Sequence, residues 1–162
     1  MAAVDFFLKL DGIDGESNDD KHKGWIEVSS WSYGVAQEGA MGAGGGGGAG
    51  KVAFQDIHFT SSISKASPKI FLTSCGGDHI KTGELICRKA GKDQVEYLKI
   101  KLTDVLATSY SSGGSGGSSV LPVDQFSLNF AKIEIEYAVQ KPDGTLGPPV
   151  KAGWDVKANK KV

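Results

Sequence analysis

Hydrophobic and polar residues alternate along most of this 162-residue chain, and a period of two is typical of β-strands. The length suits a core of its own, so we expect one domain over 1–162. Glycine-rich turns separate the alternating segments, which favours a small antiparallel barrel or sandwich. Seven strands are predicted: Val4 to Leu10, Gly24 to Gln37, Lys51 to Ser62, Ile80 to Arg88, Gln94 to about Ser109, Leu121 to Gln140, and one around Trp154 and Val156.

One short segment carries good helix signals. Ser67 is the predicted N-cap, Pro68 occupies the first helical position, and Gly76-Gly77 ends the helix. A helix of two turns is too short to stand alone, so we expect it to flank the sheet. The apolar stripe that would pack there consists of Ile70, Phe71 and Cys75.

The second predicted strand has two unlike faces. Trp31, Tyr33 and Val35 share the bulky face, which we expect in the core. Ser30 and Ser32, followed by Gly34 and Ala36, make the other face small and mostly polar. That small face is predicted to meet solvent or a partner.

The sixth predicted strand changes the parity of its hydrophobic residues. Phe126, Leu128 and Phe130 alternate on one face, whereas Ile133, Ile135, Tyr137 and Val139 follow the other parity. A change at Ala131-Lys132 predicts a bend or bulge, which would curl a long strand toward barrel closure.

Two glycine-rich segments are predicted to be flexible, an extended loop over 38–51 and a hairpin tip over 111–119. In the first, Gly45, Gly50 and Lys51 match the glycine and lysine positions of a phosphate-binding loop. Val52, however, stands where that loop requires Ser or Thr, and no helical pattern follows. We therefore interpret the segment as a structural loop and expect no nucleotide cofactor.

Charge and composition narrow the choice of partners and compartment. The formal net charge of -1 provides no general attraction for nucleic acid. The first residues lack the pattern of a cleaved signal peptide, and no apolar run has membrane-spanning length. The sequence thus predicts a chain that folds in the cytoplasm, does not insert into a membrane, and would leave the cell only by a route without a cleaved signal.

Candidate chemistry is sparse, and we predict no catalytic, metal-binding or cofactor-binding residues. Cys75, His79 and Cys87 lack a recognised zinc spacing, and Gly76-Gly77 interrupts a helical pairing of Cys75 with His79. His58 is interpreted as a sheet residue. His22 is interpreted as part of a solvated acidic turn, whose carboxylates are Asp11, Asp14, Glu16, Asp19 and Asp20. Two alternatives stay open: a monomeric ligand-binding barrel, and an enzyme in which a buried His58 or His79 meets one of the cysteines.

Several motifs occur together in the order found in Hcp, the haemolysin co-regulated protein family of bacterial type VI secretion systems, and the resemblance covers essentially the whole chain. They are the opening Val-Asp-Phe-Phe-Leu-Lys-Leu-Asp-Gly-Ile-Asp-Gly-Glu-Ser, Trp31-Ser32-Tyr33-Gly34, the run from Gly44 to Lys51, Arg88-Lys89-Ala90-Gly91 with Val95-Glu96-Tyr97-Leu98, the Gly-Gly-Ser-Gly-Gly tip, and Gly153-Trp154-Asp155.

The resemblance implies a mainly β, single-domain barrel of two curled antiparallel sheets with one flanking helix, assembled into stacked rings of six. It also implies a structural role without enzymatic activity, export with the secretion tube, and effector proteins carried in the ring lumen. Implied partners are the spike protein VgrG and the sheath and baseplate components. Ser30 and Ser32 match the region turned toward the lumen. The ring assembly and stacking loop would contain Met41, Gly44, Gly45, Gly46, Gly47, Gly48, Gly50 and Lys51.

Overall fold

The computed structural model describes residues 4–39, 51–89, 94–117 and 119–162. Within them lie one helix, α1 (Ser67–Gly76), and eleven strands. The strands are β1 (Val4–Leu10), β2 (Ile26–Val28), β3 (Ser30–Ser32), β4 (Val35–Ala36), β5 (Ala53–Phe54), β6 (Ile57–Ser62), β7 (His79–Lys89), β8 (Glu96–Gly113), β9 (Val123–Tyr137), β10 (Val150–Asp155) and β11 (Lys160–Lys161). The predicted mainly β class with one short helix is confirmed.

Nine of the strands form one antiparallel sheet in the order β11-β10-β9-β8-β7-β1-β2, with β3 and β6 on a side branch. Strand β9 is where the sheet divides. Residues 123–128 of β9 pair with β6, whereas residues 132–137 pair with β10. The long β8 pairs with β9 along almost its whole length. Strands β4 and β5 form a separate two-stranded sheet.

Pairing among the described residues does not close into a barrel of two sheets, which corrects that part of the prediction. The predicted strand from Gly24 to Gln37 breaks into β2, β3 and β4, because the chain changes partners within it. Strand β2 pairs with β1, whereas β3 pairs with β6. Ser29 lies between β2 and β3, and its N–H donates to the Thr60 carbonyl oxygen at 2.7 Å.

The parity change predicted in β9 is present. Phe126, Leu128 and Phe130 are buried on one parity, and Ile133 is buried on the other. The division of the sheet falls between these two halves of β9, so each half turns its apolar side chains toward a different part of the core. Tyr137 and Val139, at the end of the second half, are exposed.

Helix α1 ends as predicted but begins differently. Gly77 has a φ of 68° and its N–H donates to the Thr73 carbonyl oxygen, so it caps the C-terminus. The N-cap is Ala66, not Ser67. The hydroxyl of Ser67 instead donates to the buried carboxylate of Asp124 on β9. The predicted apolar stripe was also wrong, since Ile70 is buried but Phe71 and Cys75 are exposed.

Strand β8 continues into the predicted hairpin tip. Ser111, Ser112 and Gly113 pair with Gln125, Asp124 and Val123, so the connection to β9 begins at Gly114. Within the described part of the chain, no helix is long and apolar enough to cross a membrane.

Candidate interaction surface

Ser30 and Ser32 are exposed on β3, whereas Trp31 between them is half-buried. The strand register places Ser30 opposite Thr60 and Ser32 opposite His58 on β6. Because side chains alternate along a strand, these four residues share one face. The structure thus extends the small polar face predicted from the sequence onto a second strand.

The same face continues across β9 and β8. Thr60 lies opposite Gln125 on β9, which lies opposite Ser111 on β8, and Ser109 lies opposite Ser127. These residues come from four separate strands, and only the pairing register brings them together. Sequence reasoning therefore found Ser30 and Ser32 and missed the others. We define the polar ribbon as the outward side chains of the four strands: Ser30, Ser32, His58, Thr60, Ser62, Ser109, Ser111, Gln125 and the buried Ser127.

The polar ribbon contains no Asp, Glu, Lys or Arg among its defined residues. A hollow of about 140 Å³ lies at its centre, between the side chains of β6, β8 and β9. The ribbon residues that line it are His58, Thr60, Ser109, Ser111 and Gln125. A surface of short hydroxyl and amide groups makes few geometric demands on what it touches, so it suits partners of varied sequence.

Asp56 marks the margin of the polar ribbon and holds the bulge in β8. Its two carboxylate oxygens accept hydrogen bonds at 2.8 Å, one from the Thr108 hydroxyl and one from the Asn129 amide. The register of β8 against β9 shifts between Ala107 and Ser109, so Thr108 is the extra residue. Thr108 also lies 2.7 Å from the Ser127 hydroxyl, which ties the bulge to the ribbon.

An aromatic layer supports the polar ribbon from the core side. Phe59 and Phe126 stack with their ring centroids 5.2 Å apart. The Trp31 ring meets Phe6 edge-on at 6.2 Å and stacks on Tyr33 at 6.1 Å. These contacts fix the backbone of β3, β6 and β9, so the outward side chains can vary without disturbing the core.

Both lateral edges of the polar ribbon are unpaired in the described structure. Strand β3 pairs only with β6, and β8 pairs only with β9 beyond Leu106, where its partner β7 begins at His79. An unpaired edge presents a row of backbone N–H and C=O groups to any neighbouring strand. The ribbon is therefore a four-stranded surface that can be extended on either side.

Most of the predicted assembly loop lies outside the residues that the structure describes. Met41, Gly44, Gly45, Gly46, Gly47, Gly48 and Gly50 lie outside the described residues. Lys51 is described and exposed. The loop departs from a two-stranded base, in which Val35 pairs with Phe54 and Ala36 with Ala53.

Within the described residues, His58 and His79 do not combine with Cys75 or Cys87 to form a nucleophilic site. Cys75 and His58 are exposed, and the exposed His79 lies with its Nδ1 2.6 Å from Asp104. Burial raises the pKa of Cys87 to about 11, although a hydrogen bond from Trp31 opposes the rise. Its thiolate, the reactive form, is therefore scarce at neutral pH.

His22 contradicts the interpretation of the acidic turn as solvated. It is only 2% exposed, and its ring stacks on Phe7 at 4.4 Å. Its Nδ1 lies 2.9 Å from Asp19 and its Nε2 lies 2.8 Å from Glu96 on β8. The sequence did contain a signal for the burial of His22. Phe7 is a large aromatic residue on the outward parity of β1, so another part of the chain is expected to pack over it.

Arg88 on β7 completes this buried cluster. Its guanidinium lies 2.7 Å from Asp19 and 3.1 Å from Asp5, and it sits over the Phe7 ring. Burial opposes the ionisation of Asp19, but hydrogen bonds from His22 and Arg88 outweigh it and lower the pKa of Asp19 to about 2. The cluster fastens the acidic turn to the sheet, which is a structural role.

Comparison with known proteins adds an independent line of evidence. A family model described as "Type VI secretion system effector, Hcp" matches residues 7–137, a range that contains the whole polar ribbon. Protein hcp1 of Pseudomonas aeruginosa is 46% identical over 159 residues, covering 97% of this chain and 98% of that protein.

Solved structures agree over the full length of the chain. The crystal structure of Hcp1 from Salmonella typhimurium matches with a TM-score of 0.84 at 41% identity, covering 99% of this chain and 100% of the other. A structure of a type six secretion system protein matches with a TM-score of 0.93 at 33% identity, with coverage of 99% and 100%.

Proposed function

The chain belongs to the Hcp family of type VI secretion system effectors, and we propose that it is a structural subunit of the secretion tube. In this proposal the chain is a single domain over 1–162 that assembles into stacked rings of six. The rings are exported without a cleaved signal peptide and hold effector proteins in their lumen. The subunit's role is assembly and transport, not catalysis.

The polar ribbon is the observation that carries this proposal. In the part of the chain that the structure describes, it contains no Asp, Glu, Lys or Arg, is four strands wide and is unpaired at both edges. If the β3 edge of one copy meets the β8 edge of the next, the contact is head-to-tail, and a head-to-tail contact generates a ring when its rotation closes. Joined ribbons would then form a continuous lining with the small hydroxyl groups facing the channel.

Roles for individual residues follow from that arrangement. Ser30 and Ser32 are proposed to contact effector proteins, because both are exposed on the ribbon. The loop that carries Met41 and Gly44 to Lys51 is proposed to make contacts between neighbouring subunits and stacked rings. Glycine allows the close backbone approach that such contacts need. Further proposed partners are the spike protein VgrG and the sheath and baseplate.

Native mass spectrometry of the purified protein tests ring formation. We expect a particle of six copies of the 17.0 kDa chain, about 102 kDa, visible as a ring by negative-stain microscopy. A clean monomer at micromolar concentration and near-physiological salt would contradict the proposal.

A proline pair tests whether the β8 edge takes part. In an antiparallel strand the N–H groups of successive residues point to opposite sides, so either Ser111 or Ser112 directs its N–H away from β9. Proline removes that donor, so we expect either Ser111→Pro or Ser112→Pro to give a folded subunit that no longer forms rings. Ser115→Pro, in the connection beyond β8, is the matched control and should leave the rings intact.

A further inference from the structure

His58 is the one histidine of the polar ribbon, whose other residues are Ser, Thr and Gln. It is exposed on β6, opposite Ser32 of β3 on one side and Ser127 of β9 on the other. Histidine is the side chain whose ordinary titration falls between pH 5 and 8. His58 is therefore the one position of the defined ribbon with an ionisable imidazole.

Among the described residues no side chain forms an ion pair with His58, and the nearest carboxylate along the chain, Asp56, belongs to the margin of the ribbon. The other ribbon residues that line its hollow are Thr60, Ser109, Ser111 and Gln125. The carboxylate at the margin, Asp56, already accepts hydrogen bonds on both oxygens from Thr108 and Asn129. Within the described structure, the ribbon segments of β3, β8 and β9 place no other ionisable side chain on this face.

We infer that His58 makes cargo binding by the ring pH-dependent and favours acidic cargo when it is protonated. The inference rests on the proposed ring, in which each subunit contributes one His58 to the lumen. Protonation then adds one positive charge per subunit to a concave surface that is otherwise uncharged, and a cleft lined by one sign of charge concentrates ligands of the opposite sign. At higher pH the lining is neutral and loses that preference.

A labelled octa-aspartate peptide tests this on the intact ring. Its carboxylates stay ionised at pH 5.5 and at pH 8.0, so the peptide's own charge changes little. By fluorescence anisotropy, we expect wild-type rings to bind it roughly tenfold more tightly at pH 5.5, since several weak charge pairs act together. Lysine side chains are protonated at both pH values, so their attraction for the peptide is the same and does not produce the difference.

Three variants separate His58 from the other histidines of the chain. His58→Gln should bind the peptide equally weakly at both pH values, and His58→Arg should bind it tightly at both. His79→Gln is the matched control, because His79 is an exposed histidine outside the ribbon, and it should keep the wild-type pH dependence. His22 is buried and is not accessible to the peptide.

Two outcomes would overturn the inference while leaving the tube proposal intact. One is a wild-type ring that binds the peptide equally at both pH values, and the other is a His58→Gln ring that keeps the wild-type difference. Native mass spectra at both pH values show whether rings are present. A wild-type protein that forms no ring at either pH overturns both proposals together.

Discussion

At the scale of single residues, Asp19 links pH to stability. Its carboxyl has an ordinary pKa of 3.8, which the contacts with His22 and Arg88 lower to about 2 in the folded chain. A lowered carboxyl pKa stabilises the fold above the unfolded value, and that contribution is lost as the pH falls through the folded value. The shift corresponds to about 2 kcal/mol, to be lost between about pH 4 and pH 2.

Urea unfolding at fixed protein concentration tests this contribution. At pH 7 we expect Asp19→Asn to lower the free energy of unfolding by about 3 kcal/mol, because His22 and Arg88 are left buried without their shared carboxylate. The variant should also lose less stability than the wild type between pH 4 and pH 2. Asp20→Asn, at an exposed neighbour, is the control and should change stability by about 0.5 kcal/mol or less. Equal acid sensitivity of wild type and Asp19→Asn would refute the assignment.

A substitution at Ser32 tests whether the polar ribbon contacts effector proteins. Ser32→Gln enlarges an exposed side chain on the polar ribbon, so effector retention should fall or change in selectivity while rings form normally. Stability should move by about 0.5 kcal/mol, as for other outward substitutions. Co-purification of effectors with tagged rings measures the effect. Wild-type levels of every effector on the Ser32→Gln ring would remove Ser32 from the cargo surface.

Trp31→Ala is the contrasting variant for that experiment. Trp31 packs on Phe6 and Tyr33 behind the ribbon, and its indole reaches the buried Cys87. Removing the ring should lower the free energy of unfolding by about 3 kcal/mol. Damage to the fold in this variant, with an intact fold in Ser32→Gln, would separate the supporting face from the exposed face of β3.

At the scale of elements, alternation in the sequence locates the strands but does not show which strands pair. Strand β1 has the predicted limits, and the parity change in β9 is where the sequence places it. The break at Ser29 was not predictable, because it arises where the chain exchanges β1 for β6 as its partner. The same limit applies to the polar ribbon, of which only Ser30 and Ser32 are close together in the sequence.

The start of α1 shows a second limit. Serine is a favoured N-cap residue and Ser67 stands at the right position for one, but its hydroxyl donates to Asp124, 57 residues later in the sequence. His22 was misread for the same reason, since its partner Glu96 is also distant in the sequence. Local signals describe what a side chain can do nearby, and a carboxylate elsewhere in the chain overrides them.

Asp124 is therefore expected to anchor α1 to the sheet. It is 1% exposed and accepts hydrogen bonds from Ser67 on the helix and from Tyr110 on β8. Asp124→Ala leaves both donors without their acceptor, so the free energy of unfolding should fall by about 3 kcal/mol. Hydrogen exchange should show faster opening of α1 than of β1. Asp14→Ala, at an exposed site, is the control, and an unchanged exchange rate in α1 would contradict the anchoring role.

At the scale of the whole molecule, we expect the glycine-rich loop to serve assembly without contributing to folding. The sheet and core described here do not include Gly45 to Gly48. Replacing these four glycines with threonine should leave the subunit folded, yet weaken ring stacking and secretion, because bulky side chains prevent close backbone approach. Circular dichroism, negative-stain tube lengths and a secretion assay measure the three properties.

The glycine-rich hairpin tip supplies the control for that experiment, because a Cβ added at Gly116 meets no atom within 4 Å. Changing Ser115 and Gly116 to threonine should leave both stacking and secretion at wild-type levels. Wild-type tubes and secretion from the variant with four threonines would exclude the loop from assembly. A rise in melting temperature with magnesium and ATP that Lys51→Ala abolishes would instead identify a nucleotide site, since a ligand stabilises the state that binds it.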